Sequence, residues 1–203
     1  SLRPRSDRRR AVKTGSLKTH KYGSRCGMVP GGSWMESAFR LRPFRPGDLE
    51  EVMGINERCL PENYTHFFFM DLHQQFPETF LVAEEDGRVV GYIMCRVETG
   101  MSDLRLIGIG KKGHIISIAV LPEHRRRGIA QALVGEAMKA MQQRYKAKEC
   151  YLEVRVGNTP AVNLYRKMGF QVTQTLRGYY SDGEAAHKMA RRLPPEDQTT
   201  DTD

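Results

Sequence analysis

The 203-residue chain is 39% hydrophobic and 28% charged, the composition of a soluble globular domain. No run approaches the roughly 18 apolar residues of a membrane span, and no leader resembles a secretory signal. Cys26, Cys59, Cys95 and Cys150 form no C-x-x-C pair, which speaks against a zinc ribbon or disulfide framework and for a reducing, cytoplasmic setting.

The formal charge of +8 sits at one end. Residues 1–34 hold nine Lys/Arg and one acid, Asp7, whereas residues 35–203 hold 23 bases and 23 acids. The first segment lacks apolar periodicity and reads as a disordered basic tail. Three roles are open to it: a ribosome- or RNA-tethering arm, a targeting peptide, or an extension ahead of a start at Met28 or Met35. The balanced remainder gives no reason to expect specific DNA binding.

Residues 35–193 read as one domain. "FRLRPF" (39–44) alternates as a strand, and Pro46-Gly47-Asp48 opens a helix carrying Leu49, Val52, Met53 and Ile55. "NYTHFFFMDLHQQF" is a second helix, with Phe67, Phe68 and Phe69 assigned to the core. "TFLVAEEDGRVVGYIMCRV" is a hairpin about Glu-Asp-Gly, "GHIISIAVL" is a buried strand, and a helix runs from Gly128 to about Lys146. "ECYLEVRV" is the next strand and "PAVNLYRKMGF" a short helix. "QVTQTLRGYY" and "AAHKMARRL" then flank a Ser-Asp-Gly-Glu turn as a hairpin, and residues 194–203 form a disordered acidic tail. The fold class is α/β, with a mixed central sheet flanked by helices.

Two glycine motifs compete for a phosphate. "GIGKKG" (108–113) matches G-x-G-x-x-G, but that fingerprint must follow a strand and open a helix; here it precedes a strand. "RRRGIA" (125–130) lies correctly between a strand and a helix. The first turn of that helix leaves N–H groups unpaired and positive, and Gly128 and Ala130 permit close approach of an anion. Downstream, Ile129, Leu133, Val134, Ala137, Met138 and Met141 form an apolar stripe that docks the helix on the sheet.

Arg125-x-x-Gly128-x-Ala130 after a buried strand resembles the acetyl-CoA pyrophosphate loop of the GNAT acetyltransferases. "LPENY", "GYIM", "KKGHIISIAVLPEHRRRGIA", "YLEVRVGNTPAVNLYRKMGF" and "GYYSDGEAAHKMAR" extend the resemblance over residues 36–193 and narrow it to N-terminal protein acetyltransferases. Within these it is similar to the branch of the NatA catalytic subunit and its archaeal, RimI-like homologue. The resemblance implies a GNAT fold, acetyl-CoA as co-substrate, no required metal, and protein or nascent-chain N-termini as partners. It places Ile118, Ala119 and Val120 beside the pantetheine arm, and the amides of Arg126, Arg127, Gly128, Ile129, Ala130 and Gln131 around the pyrophosphate. Asn158, Tyr165, Arg166 and Lys167 complete the implied cofactor contacts, with Tyr165 a candidate acid for the departing thiolate. It gives Glu62 to the peptide N-terminus, Tyr64 to the pocket for the first residue, and Tyr180 to the substrate backbone.

The implied reaction is attack of an α-amine on a thioester. With a pKa near 8, roughly a tenth of α-amines are neutral at pH 7, against under ~0.1% for lysine near 10.4, so a modest base suffices. A carboxylate inside an apolar strand is costly unless paired or functional, which marks Glu153. His114, at the start of the preceding strand, is a second candidate and Glu62 a third. The cysteines are assigned to the core, because direct attack needs no acyl-cysteine. Two further readings stand beside this one: a GNAT acting on a ribosomal protein, lysine or small amine, and a ribosome- or nucleic-acid-binding module working through the basic tail.

Overall fold

The computed structural model describes residues 39–104 and 108–193; both expected tails lie outside the described residues. β1 (Arg40–Pro43) leads to α1 (Leu49–Cys59) and α2 (His66–Gln75). β2 (Leu81–Glu85), β3 (Arg88–Met101) and β4 (Ile109–Val120) follow, and α3 (Ile129–Tyr145) returns the chain to β5 (Glu149–Arg155). α4 (Thr159–Lys167), β6 (Gln171–Leu176) and β7 (Ala186–Arg192) complete the fold. The strands make one mixed sheet in the order β1-β2-β3-β4-β5-β7-β6, in which only β4 and β5 pair in parallel.

Local chemistry sets the boundaries. Asp86 and Gly87, at φ 49° and 77°, supply the left-handed pair that a tight β2–β3 hairpin requires. Asp48 accepts from the Arg45 amide at 2.7 Å and from two Arg42 nitrogens at 2.6 and 2.8 Å, pinning the turn before α1 to β1. The Thr65 hydroxyl caps α2 by accepting from the Phe68 amide at 3.3 Å.

Each face of the sheet has its own core. On one, Leu133, Val134, Ala137 and Met141 of α3 meet Ile93, Cys95, Ile115, Cys150 and Leu152; full burial of one such side chain is worth about 1.5–3 kcal/mol. On the other, Val52, Ile55, Phe69 and Leu72 of α1 and α2 pack on Val82, Tyr92 and Met94, where Phe44 and Phe80 stack at 4.0 Å. Among the described residues no helix is long and apolar enough to cross a membrane.

The structure corrects four expectations. β4 begins at Ile109, so most of "GIGKKG" is strand and His114 lies mid-strand rather than at its start. β6 ends at Leu176, and residues 177–185 form a loop longer than a tight turn. Phe67 is 77% exposed, whereas Phe69 is fully buried and Phe68 half-buried against Tyr64; three consecutive helical positions span too wide an arc for all to face one core. Cys95 and Cys150 are core residues as expected, but Cys59 is only half-buried.

A register change in β4 positions the site. Met94 pairs with Ser117 and Cys95 with Ile115, leaving Ile116 as a bulge that bends the strand. β4 and β5 pair only over Lys112–Glu149, Gly113–Cys150 and His114–Tyr151. Beyond that last rung they separate, and facing backbone groups of both strands lack a ladder partner.

Candidate active site

Two dissimilar surfaces meet at the β4–β5 gap. The first is backbone. β4 runs out through Ile118, Ala119 and Val120 to a 3-10 turn at Pro122–His124, and α3 starts at Ile129 with Gly128 as its N-cap. Gly128 adopts φ 82° and makes no side-chain cap bond. The first helical hydrogen bond runs from the Ala132 amide to the Gly128 carbonyl, so the amides ahead of Ala132 have no intrahelical acceptor. A Cβ placed on Gly128 would meet nothing within 4 Å. Open space, unspent donors and the positive end of a 17-residue helix together fit an anion such as a pyrophosphate.

The arginine triplet divides its work. Arg125 Nε donates to the Val120 carbonyl at 2.9 Å, and Arg127 forks onto Glu85. Arg126, at φ 63°, is exposed and has no ion pair among the described residues. Ile129 is buried in the core, Ala130 half-buried and Gln131 exposed. Asn158 Oδ1 accepts from the Ala161 amide as the α4 cap, which leaves its NH2 free to donate to a ligand. Arg166 and Lys167 are exposed on α4. Tyr165 is 5% exposed and packs on Phe170 in the α3/α4 core. Burial pushes its hydroxyl well above the ordinary tyrosine value, with Cys150 adding to the effect.

The second surface is side chain. Alternation along β5 puts Tyr151, Glu153 and Arg155 on one face. His114 Nε2 lies 2.7 Å from Glu153 Oε2, and both side chains are nearly buried, 12% and 13% exposed. In the neutral ring, donation of Nε2–H to the carboxylate makes Nδ1 the acceptor; Nδ1 is buried without a partner among the described residues. The imidazole stacks on Tyr151 at 4.2 Å and 16°. Tyr151 donates to Glu98, and the ammonium groups of Lys112 and Lys188 each lie 4.6 Å from its ring centre. Those lysines share Asp103. Burial would favour the neutral acid there, but the hydrogen bonds from Lys112 and Lys188 outweigh it and hold the Asp103 carboxyl below its ordinary value.

Two loops wall this face. Asn56, almost fully buried, donates to the Glu62 carbonyl at 3.2 Å and accepts from the Tyr64 amide at 3.3 Å, fixing the α1–α2 loop. It also donates to the Tyr92 hydroxyl at 3.0 Å, which lies 2.7 Å from Ser117 Oγ on β4. Tyr64 reaches the Ile116 carbonyl at the bulge, at 3.4 Å. Opposite stands the β6–β7 loop with Tyr180, and Arg155 joins the two. It binds Glu62, Asp182 at 2.6 Å and Glu184 at 2.8 Å, with its guanidinium 3.9 Å from the Tyr180 ring centre.

Of the three candidate bases, then, the fold brings His114 and Glu153 together and commits Glu62 to Arg155. Arg155 and the carboxylates of Asp182 and Glu184 were missed in the sequence, as were Tyr151 and the buried Asn56. The alternation Glu149, Tyr151, Glu153, Arg155 was the available signal, because four polar or amphipathic residues at period two describe a polar strand face.

Known proteins resemble this chain in sequence and fold. Residues 49–170 match the model of the Acetyltransferase (GNAT) family. An N-alpha-acetyltransferase of Sulfurisphaera tokodaii is 51% identical over 156 residues, covering 76% of this chain and 93% of that protein. The N-terminal acetyltransferase A complex catalytic subunit NAA10 of Arabidopsis thaliana is 36% identical over 72% of this chain and 73% of its own length. The crystal structure of Arabidopsis thaliana NAA60 in complex with acetyl-CoA superposes with a TM-score of 0.66 at 26% identity, covering 76% of this chain and 99% of that one.

Proposed function

The chain belongs to the GNAT acetyltransferase family, and from that premise we propose that it moves acetyl from acetyl-CoA to the α-amine of protein N-termini, with Glu153 and His114 as its proton-accepting pair. Its N-alpha-acetyltransferase relatives, and its likeness to the NatA catalytic subunit, supply the reaction class. The observation that carries the residue assignment is the His114–Glu153 hydrogen bond at the last rung before β4 and β5 part.

The cofactor binds along the backbone surface. The amides of Arg126 to Gln131 hold the pyrophosphate, Ile118 to Val120 run beside the pantetheine arm, and Asn158, Arg166 and Lys167 reach the same molecule from α4. The peptide enters over the polar face, between Glu62 and Tyr64 on one loop and Tyr180 on the other. Glu62 and Tyr180 are held for that task by Arg155.

The α-amine arrives as an ammonium in nine cases of about ten at pH 7. Glu153, whose Oε2 is bonded to His114, takes that proton directly or through a water, and His114 stabilises the carboxylate between turnovers. The neutral amine attacks the thioester carbonyl; the new C–N bond forms, the C–S bond breaks, and the second amine proton leaves to the same pair. Tyr165 supplies the proton to the departing thiolate and is reprotonated from the Glu153–His114 pair, which releases its other proton to water, so each turnover yields acetylated peptide, CoA thiol and one proton. The reduced thiols of Cys59, Cys95 and Cys150 suit a cytoplasmic setting.

A peptide with a free N-terminus and no lysine should be acetylated at least a hundredfold faster than the same peptide with a blocked α-amine and one free lysine, by roughly the ratio of neutral amine. Equal rates on the two would overturn the α-amine assignment. A panel beginning Ser, Ala, Met-Leu and Glu then maps the pocket around Tyr64.

A further inference from the structure

The loop before α3 is held from outside the gap. Glu85 ends β2 at the tip of the hairpin with β3, remote in sequence from the loop it touches. Its Oε2 lies 2.6 Å from His124 Nδ1 and accepts from Arg127 Nη1 at 2.9 Å, while Oε1 accepts from Arg127 Nη2. The guanidinium is therefore gripped by both carboxylate oxygens. The Glu85 side chain is only 14% exposed. The hydrogen bonds from Arg127, opposed by burial and aided by His124, hold its carboxyl below the ordinary value, so it is charged at neutral pH.

The backbone between the anchors is where shape matters. Arg125 is tied to the Val120 carbonyl and Arg127 to Glu85, and between them Arg126 takes φ 63°, with Gly128 following at 82°. A non-glycine residue in the left-handed region costs on the order of 1 kcal/mol. Fixing the residues on either side offsets that cost and keeps the amides after the kink aimed at one point. Coulomb's law argues the opposite way, since a carboxylate beside an anion site weakens anion binding. Geometry and charge thus predict opposite signs for the loss of Glu85.

We propose that Glu85 is a positioning residue for cofactor binding, acting through Arg127 to hold the left-handed kink and the amide fan of Arg126 to Gln131. The proposal rests on the reading of that loop as the pyrophosphate site. It is tested with Glu85→Gln in the full chain, measuring acetyl-CoA Kd by calorimetry and both KM values in steady state. The expected result is an acetyl-CoA Kd and KM raised about three- to fivefold, with kcat and peptide KM unchanged. A double-mutant cycle should show that adding Glu85→Gln to Arg127→Met costs nothing further, because the clamp is already broken. An acetyl-CoA Kd that is unchanged or lower overturns the proposal, and so does an equal rise in both KM values. Gly128→Glu separates the two levels. If it retains affinity, the loop reading falls; if it loses affinity while Glu85→Gln does not, only the clamp falls.

Discussion

The two sides of the β4–β5 gap are made of different material. On the side that we propose for the cofactor the groups on offer are amides, contributed by one continuous segment from Ile118 to Gln131, and two of its three arginine side chains turn away onto Val120 and Glu85. On the side that we propose for the peptide they are side chains gathered from the α1–α2 loop, β4, β5 and the β6–β7 loop, linked by a dense set of ion pairs. A backbone site tolerates changes of side chain but not of conformation. A side-chain site tolerates the reverse.

That contrast is most sharply tested where the chemistry is. Glu153→Gln keeps the size of the residue and removes the proton acceptor, so kcat should fall about 10²- to 10⁴-fold while acetyl-CoA Kd, from calorimetry, stays at the wild-type value. A weakened Kd would show that the two sides are not separable; an unchanged kcat would remove Glu153 from the reaction. Gly128→Glu probes the other side. It forces a bulky residue into φ 82° and brings a carboxylate among the amides, so acetyl-CoA should bind about a hundredfold more weakly.

The same division explains what could be read from the sequence. The segment proposed for the cofactor is local, so "RRRGIA" after "HIISIAV" was enough to single out the strand–glycine–helix junction, and the apolar stripe of α3 was legible for the same reason. The His114–Glu153 pair was half legible: both residues stood out, but their contact depends on a parallel register of three rungs that no local pattern encodes. Arg155 was not legible, because its importance comes from three carboxylates contributed by segments as far as 93 positions away. The bulge at Ile116, which opens the gap, exists only as a mismatch between two strands. Phe67 shows the converse error, since its exposure follows from helix phase rather than hydrophobicity.

Gly113 lies at the boundary between the two sides, one rung before the gap. A Cβ there would sit 2.1 Å from Met141 Sδ and 3.0 Å from its Cγ, and Met141 is fully buried. Gly113→Ala must therefore push aside the buried Met141 side chain and repack the contact of α3 with β4, at a cost of about 1–3 kcal/mol by urea denaturation. Because α3 carries the amide fan and β4 carries His114, this substitution should be the one that lowers both acetyl-CoA affinity and kcat.

A charge far from the gap should affect neither. Asp48 binds Arg42 and the Arg45 amide, and Arg42 also reaches Glu84 at 2.6 Å, fixing α1 to the edge of the sheet. Burial alone would raise the Asp48 carboxyl, but the hydrogen bonds from Arg42 and Arg45 outweigh it and hold it below its ordinary value. A carboxylate depressed in the folded state contributes its full stability above the unfolded value near 3.9, and the contribution is lost as pH falls through the lower folded value. Asp48→Asn should thus cost about 1–2 kcal/mol at pH 7, with the deficit shrinking progressively below about pH 4, in paired urea titrations. Its kcat and acetyl-CoA Kd at pH 7 should match the wild type. A change in either would mean that the ion pairs at the sheet edge and those of the peptide face form one electrostatic unit, and the side-chain half of the site would then extend across β2 and β3 to the opposite end of the sheet.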